Sequence, residues 1–180
     1  LAVLAFRQIG YWKDSKTLFE RMLAINPNSY IALNNLGYLI FTEGKPDKAE
    51  ALFRKAIEVK PAASNGYYNL GMLQRSRGET REAIMNLRKA IDTDSEYIHW
   101  IYWQDLGNIY LSLNSLDEAL RCFLVSAPHA GEDARASTKM LGIVYALKGN
   151  YPEAARSLQN HLSEVPDDLE ALVYLVRVQL

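Results

Sequence analysis

Glycine recurs in this chain at a nearly constant interval. Gly37, Gly71, Gly107 and Gly142 lie 34, 36 and 35 residues apart. An alanine follows each glycine after 12 residues, a large apolar residue follows after 16, and a turn-forming residue lies in between. Such self-similarity is typical of a repeat architecture, and this length has room for about five repeats. The register positions are Ala49, Ala83, Ala119 and Ala154 for the alanine, Phe53, Leu87, Phe123 and Leu158 for the apolar residue, and Gly44, Gly78, Asn114 and Gly149 for the turn.

The spacing of these landmarks fits two antiparallel helices in each repeat. A glycine inside the first helix costs about 1 kcal/mol relative to alanine, so another contribution must offset it. We expect close approach of the second helix, with the small Ala49 at the crossing and Leu36 and Phe53 filling the space on either side. The sequence therefore predicts an all-α fold of stacked helix pairs, with about 11 helices.

The repeated pattern resembles the tetratricopeptide repeat (TPR). Leu-Gly, a tyrosine-like residue, Ala, an aromatic residue and a closing Pro characterise that family. The resemblance implies a right-handed α-solenoid whose concave wall is made by the first helix of each pair. The matching residues in one copy are Leu36-Gly37, Ile40, Ala49, Phe53, Ala56 and Pro61.

The register divides the predicted solenoid, a single domain, into successive repeats. The fourth repeat is irregular, because two extra residues precede Gly107 and neither Tyr97 nor Trp100 has a place in the pattern. These two aromatic residues either pack against the preceding helix or form an exposed apolar patch that marks a contact site. The predicted boundaries are 1–28 for a partial repeat that is mainly a second helix, 29–62, 63–96, 97–130 and 131–166 for the following repeats, and 167–180 for a terminal helix.

Charge and cysteine content exclude several classes of protein. The net charge of −1 argues against a nucleic-acid-binding surface, which is normally strongly basic. The one cysteine, Cys122, excludes an internal disulfide and is expected to be a buried, unreactive thiol beside Phe123. The apolar run at residues 1–6 is far too short to span a bilayer, which takes about 20 residues, so no direct membrane insertion is expected.

A second resemblance concerns the segment before the first complete repeat. Residues 8–19, Gln-Ile-Gly-Tyr-Trp-Lys-Asp-Ser-Lys-Thr-Leu-Phe, run on toward Asn34-Asn35-Leu36-Gly37. They resemble the junction in TMTC-like membrane glycosyltransferases of the dolichyl-phosphate-mannose type, although Lys13 stands where arginine is usual. This resemblance implies a fragment of a larger protein, with the repeats on the extracytoplasmic face and the catalytic residues elsewhere. Without it, we expect a cytoplasmic location. The apolar run at 1–6 has two interpretations that do not exclude each other: the remnant of a first helix, or the end of a membrane helix.

The sequence contains no catalytic or metal-binding constellation. It has no glycine-rich phosphate loop, no His-Glu-x-x-His and no cysteine pair, and His99, His129 and His161 lie in different repeats. We therefore predict that this chain is not itself an enzyme and uses no cofactor or metal.

The predicted concave wall offers candidate peptide-binding residues. Asn35 and Asn69 are equivalent in register, and Asp105 is next in line. Because an amide both donates and accepts hydrogen bonds, a row of amides can satisfy the backbone of an extended peptide. The asparagine ladder of the O-GlcNAc transferase TPRs is similar. Alternatively, the amides tie one helix to the next. The candidates are Asn34, Asn35, Tyr38, Phe41, Asn65, Tyr68, Asn69, Met72, Arg75, Gln104, Asp105 and Asn108.

These observations predict a protein-interaction module that binds an extended peptide or a partner protein in a concave groove. One alternative is a scaffold that self-associates through its ends or through Tyr97 and Trp100. An autonomous enzyme is a third hypothesis, which only a convergent cluster of titratable groups would support.

Overall fold

A computed structural model of the chain describes residues 15–94, 100–129 and 134–180. These residues form ten α-helices, one short 3-10 turn and no β-strand, which confirms the all-α prediction. Residues 1–14, which include the apolar run and most of the junction segment, lie outside the described residues, as do Tyr97 and His99. The helices are α1 over residues 15–25, α2 Tyr30–Thr42, α3 Pro46–Val59, α4 Ser64–Ser76, α5 Thr80–Thr93, α6 Trp100–Ser112, α7 Leu116–Ser126, α8 Ala134–Leu147, α9 Tyr151–Glu164 and α10 Leu169–Gln179; the 3-10 turn is Ala127–His129.

The helices pack in pairs within two compact units. Of the described helices, the first unit contains α1 to α5 and the second contains α6 to α10. In the first unit α2 packs on α3, α4 packs on α5, and α3 and α2 both contact α4. In the second unit α6 packs on α7 and α8 on α9, while α10 contacts both α9 and α8. Each unit therefore buries its apolar faces by stacking one helix pair on the next.

The repeat glycines lie at close helix crossings. A Cβ atom added to Gly37 would lie 2.7 Å from Cε1 of Phe53, and one added to Gly71 would lie 3.2 Å from Cγ of Leu87 and 3.3 Å from the carbonyl oxygen of Ala83. The contact at Gly37 leaves no room for a side chain, and at Gly71 a side chain would fit only if its neighbours shifted by a few tenths of an ångström. Gly107 and Gly142 lie similarly close to Phe123 and Leu158.

The expected approach of the pattern alanine to the glycine is seen at Gly71, beside the Ala83 carbonyl oxygen, but differs in detail at Gly37. The atoms nearest to a Cβ on Gly37 belong to Phe53 and Leu52, and Ala49 is not among them. Ala49 instead joins Phe53 in a buried core cluster with Leu70 and Leu73 of the next repeat. A small residue at position 49 thus allows successive repeats to approach each other.

The turn residue between paired helices has a left-handed backbone in each described pair. Gly78 has φ +78°, with no atom within 4 Å of its would-be Cβ, and Asn114 has φ 56°. Asparagine is one of the few residues with a side chain that tolerates this conformation, which explains how it replaces glycine.

Ion pairs connect successive repeats at a recurrent pair of positions. Lys16 Nζ lies 2.6 Å from Glu43 Oε1, and Arg77 Nη1 lies 2.6 Å from Glu50 Oε2. Glu50 occupies the register position of Lys16, and Arg77 occupies that of Glu43, 34 residues later in both instances. Hydrogen bonds from Lys16 and Lys45 lower the pKa of Glu43 to about 2. The same contact therefore forms with the charges in either order.

Candidate functional site

The best-defined polar contact among the candidate residues joins α2 to α4. Nδ2 of Asn69 donates a hydrogen bond to Oδ1 of Asn34 at 2.9 Å. Asn34 is buried, with 8% of its surface exposed, and Asn69 is half-buried. This amide pair joins α2 to α4, the first helices of two successive repeats. It agrees with the alternative interpretation, in which the amides tie one helix to the next.

Other candidates on the same two helices face solvent at least in part. Asn35 is half-buried, and its side chain makes no hydrogen bond with any described residue. Tyr38 is 47% exposed, and Met72 is half-buried. We call the partly exposed residues Asn35 and Tyr38 of α2 and Asn69 and Met72 of α4 the α2–α4 surface.

The remaining candidates occupy different environments. Phe41 is partly buried and packs against the core cluster of the first unit. Asn65 and Arg75 are exposed on α4, and Tyr68 is half-buried. Nine of the twelve predicted residues thus lie on α2 and α4 of the first unit.

Three of the predicted residues lie on α6 in the second unit. Oε1 of Gln104 accepts a hydrogen bond from Oγ of the fully buried Ser137 on α8, at 3.1 Å. Asp105 and Asn108 are half-buried. Gln104 therefore repeats the helix-joining role of Asn34, with a serine in place of the second amide. Trp100 is half-buried at the start of α6.

A buried polar cluster at the start of α10 was not predicted. His161 is buried, and its Nε2 atom lies 2.9 Å from Oδ2 of Asp168. Asp168 also accepts hydrogen bonds from the backbone N–H of Ala171 and from Lys139. Burial raises the pKa of Asp168, but these three hydrogen bonds together lower it to about 2. One sequence feature indicates this cluster: His161 occupies the register position that Ala56 and Ala90 hold in earlier repeats.

A cleft in the second unit was also not predicted from the sequence. It lies between the end of α8, the start of α9 and the second half of α10. The cation among its lining residues is Arg177, whose Cζ atom lies 5.8 Å from the centre of the Tyr174 ring. The lining residues are Ala146, Leu147, Tyr151, Tyr174, Arg177 and Val178.

Two further classes of site find no support in the described residues. Over residues 15–94, 100–129 and 134–180, no group of three or more His, Cys, Asp or Glu side chains could hold a metal ion. None of the helices in those ranges combines the length and the apolarity that a bilayer crossing requires.

Three family profiles match the chain, and each describes a tetratricopeptide repeat. They match residues 28–96, 68–134 and 137–172. No curated protein matches the chain closely enough to show a relationship. The predicted junction resemblance to TMTC-like glycosyltransferases is therefore not supported by these comparisons.

Solved structures show the same fold at low sequence identity. The chain is similar to YrrB, with 20% identity and a TM-score of 0.81 over 89% of this chain and 81% of that chain. It is similar to MamA, with 21% identity and a TM-score of 0.74 over 91% and 94% of the two chains. It is also similar to TTC0263, a TPR protein from Thermus thermophilus, with 21% identity and a TM-score of 0.63 over 98% and 94%.

Proposed function

Because the chain belongs to the tetratricopeptide repeat family, we propose that it is a protein-interaction module that holds an extended peptide of a partner protein on the α2–α4 surface. YrrB, which has the same fold, is described as a TPR protein with an unusual peptide-binding site. The proposal does not include the predicted membrane glycosyltransferase context, since no comparison supports it.

The hydrogen bond between Asn69 and Asn34 ties α2 to α4, and it also carries the proposal because it leaves the Oδ1 atom of Asn69 without a partner among the described residues. It uses one N–H of Asn69 and fixes the orientation of that amide, so the Oδ1 atom of Asn69 is preorganised as an acceptor. Asn35 supplies a second amide at the equivalent position of the preceding repeat. A peptide backbone presents alternating donors and acceptors, which suit such a pair. Preorganisation reduces the ordering cost of binding.

The side chains beside these amides set the expected character of the peptide. Tyr38 offers an exposed aromatic ring, and Met72 offers a flexible apolar side chain that adapts to different partners. Asn35, Tyr38, Asn69 and Met72 are all uncharged. Binding should therefore favour peptides with apolar side chains and depend only weakly on salt concentration.

The test is selection of random 12-residue peptides displayed on phage against the whole chain. The selected peptides should lose affinity for Asn35→Ala and for Tyr38→Ala. For Asn35→Ala the loss should be about 2- to 12-fold, which corresponds to a hydrogen bond of about 0.5–1.5 kcal/mol. Asn160→Ala on α9, an exposed asparagine outside the surface, is the matched control. Absence of enriched peptides, or equal binding by the variants, would refute the proposal.

A second candidate function, self-association, is favoured by the apolar face of α10. Leu172, Val173 and Val176 are exposed there, Val176 to 56%, although Val176 occupies the register position that holds glycine at the close helix crossings. An exposed apolar stripe of this kind is typical of a contact surface. Sedimentation velocity should then show association that increases with concentration and is lost in Val176→Asp. A monomer at all concentrations would exclude this candidate.

A further inference from the structure

The cleft between α8, α9 and α10 is lined by apolar and aromatic residues together with one cation. Leu147 and Tyr151 are exposed to 48% and 53% at its edge, and Ala146 and Val178 complete its walls. Such a cleft suits an apolar side chain of a ligand, because small binding sites are lined mainly by apolar and aromatic groups with a few polar ones. Arg177 is the polar group that would orient the ligand.

Arg177 is available for a ligand, unlike most basic residues of its unit. Of the six basic side chains between residues 96 and 180, four form ion pairs with an acidic side chain. Arg177 and Arg156 form none with any described residue. Only Arg177 of these two lies in the cleft.

The Tyr174 ring restricts where the Arg177 guanidinium can lie. A guanidinium within about 6 Å of an aromatic ring is attracted to the ring face. Its N–H groups then remain free to bind a planar carboxylate with two parallel hydrogen bonds. The single positive charge of the guanidinium neutralises the negative charge of one carboxylate.

The net negative charge of the second unit disfavours a ligand with several carboxylates. Residues 96–180 carry 6 basic and 11 acidic side chains, so the unit as a whole repels an acidic run. An isolated carboxylate beside Arg177 gains the local attraction without adding further repulsion.

We propose that this cleft binds a partner peptide at an apolar residue that is followed by a single glutamate or aspartate. The apolar side chain fills the cleft between Leu147 and Tyr174, and the carboxylate pairs with Arg177. This site is separate from the α2–α4 surface, and no residue of that surface takes part in it.

The test uses two blocked dipeptides that differ only in charge, N-acetyl-Leu-Glu-amide and N-acetyl-Leu-Gln-amide. Each is titrated into the isotope-labelled chain, and the backbone amide shifts of Ala146, Leu147, Tyr151 and Val178 are followed by NMR. We expect the glutamate ligand to bind about 2- to 5-fold more tightly, as is usual for an exposed ion pair. The difference should disappear in 0.5 M salt, where the Debye length falls to about 4 Å.

Substitution of single arginines tests whether Arg177 itself causes the preference for glutamate. Arg177→Gln should remove the preference, whereas Arg156→Gln, an exposed and unpaired arginine on α9, should keep it. Asn35→Ala, a substitution in the α2–α4 surface, should leave the preference for glutamate unchanged. The two proposals can therefore fail independently of each other. Equal affinity for the two dipeptides, or an unchanged preference in Arg177→Gln, would overturn the proposal.

Discussion

Replacing Gly37 by alanine tests whether close helix crossings hold the repeats together. The added Cβ would lie 2.7 Å from Cε1 and 2.9 Å from Cδ1 of Phe53, whose ring is fully buried. Because neither the ring nor the surrounding core can move freely, the overpacking should cost about 2–3 kcal/mol. Alanine regains about 1 kcal/mol of helix propensity. We therefore expect Gly37→Ala to destabilise the α2–α3 pair by about 1–2 kcal/mol.

Amide hydrogen exchange followed by mass spectrometry is the appropriate assay. Repeat arrays do not always unfold in one step, and hydrogen exchange locates a loss of stability in particular helices, which a denaturation curve does not. A loss of 1–2 kcal/mol should accelerate exchange in α2 and α3 by roughly 5- to 30-fold. Exchange in α8 and α9 provides an internal control.

Matched variants distinguish a steric effect from a general one. At Gly71 the nearest atom would lie 3.2 Å from the new Cβ, so Gly71→Ala should destabilise less than Gly37→Ala. Phe53→Leu, which copies the natural Leu87, should partly relieve the damage of Gly37→Ala, and the two changes should cost less together than the sum of their separate effects. If both glycine variants instead slowed exchange, helix propensity would outweigh the contacts and the steric reasoning would be refuted.

Three further predictions concern charge and turns. Hydrogen bonds hold the pKa of Asp168 near 2, so its stabilisation of the second unit is complete above pH 4 and declines as the pH falls toward 2; Asp168→Asn should lower the unfolding temperature at pH 7 but not below pH 2. Arg77 is the main cause of the lowered pKa of Glu50, so Arg77→Gln should raise the pKa of that carboxyl in an NMR titration; an unchanged pKa would show that the pair does not form in solution. Gly78→Ala should cost about 1–2 kcal/mol in urea unfolding because of its left-handed backbone, whereas Asn114→Gly should be nearly neutral, and equal effects would contradict the backbone explanation.

The sequence predicts the helix pairs well because local backbone geometry dictates them. A glycine or asparagine at the turn is required by the left-handed conformation of residues such as Gly78 and Asn114. A glycine at the crossing is required by the short distance between Gly37 and the Phe53 ring. Both requirements repeat with the period of the chain, so they are visible in one sequence.

The roles of the polar side chains could not be predicted from register alone. Asn34 and Asn35 are neighbours, and both were assigned to the binding wall. Asn34 is buried and accepts a hydrogen bond from Asn69, whereas Asn35 forms no side-chain hydrogen bond with a described residue. The difference depends on the rotation of α2 against α4, which the period does not specify. Peptide binding by these residues stays a prediction.

The ion pairs between repeats show why the sequence pattern understates these contacts. Lys16 pairs with Glu43, and the equivalent positions one repeat later hold Glu50 and Arg77, with the charges reversed. Comparison of residue types at single positions therefore misses this contact. What the two repeats share is the attraction between two positions and not the sign of the charge at either one. The second unit has an equivalent ion pair between Lys148 and Asp117. Lys148 occupies the register position of Arg77, and Asp117 occupies that of Asp47, which also pairs with Arg77. Since exposed pairs of this kind contribute only about 0–1 kcal/mol each, they favour one stacking register over a shifted one rather than supplying the stability of the array, which comes from the buried crossings.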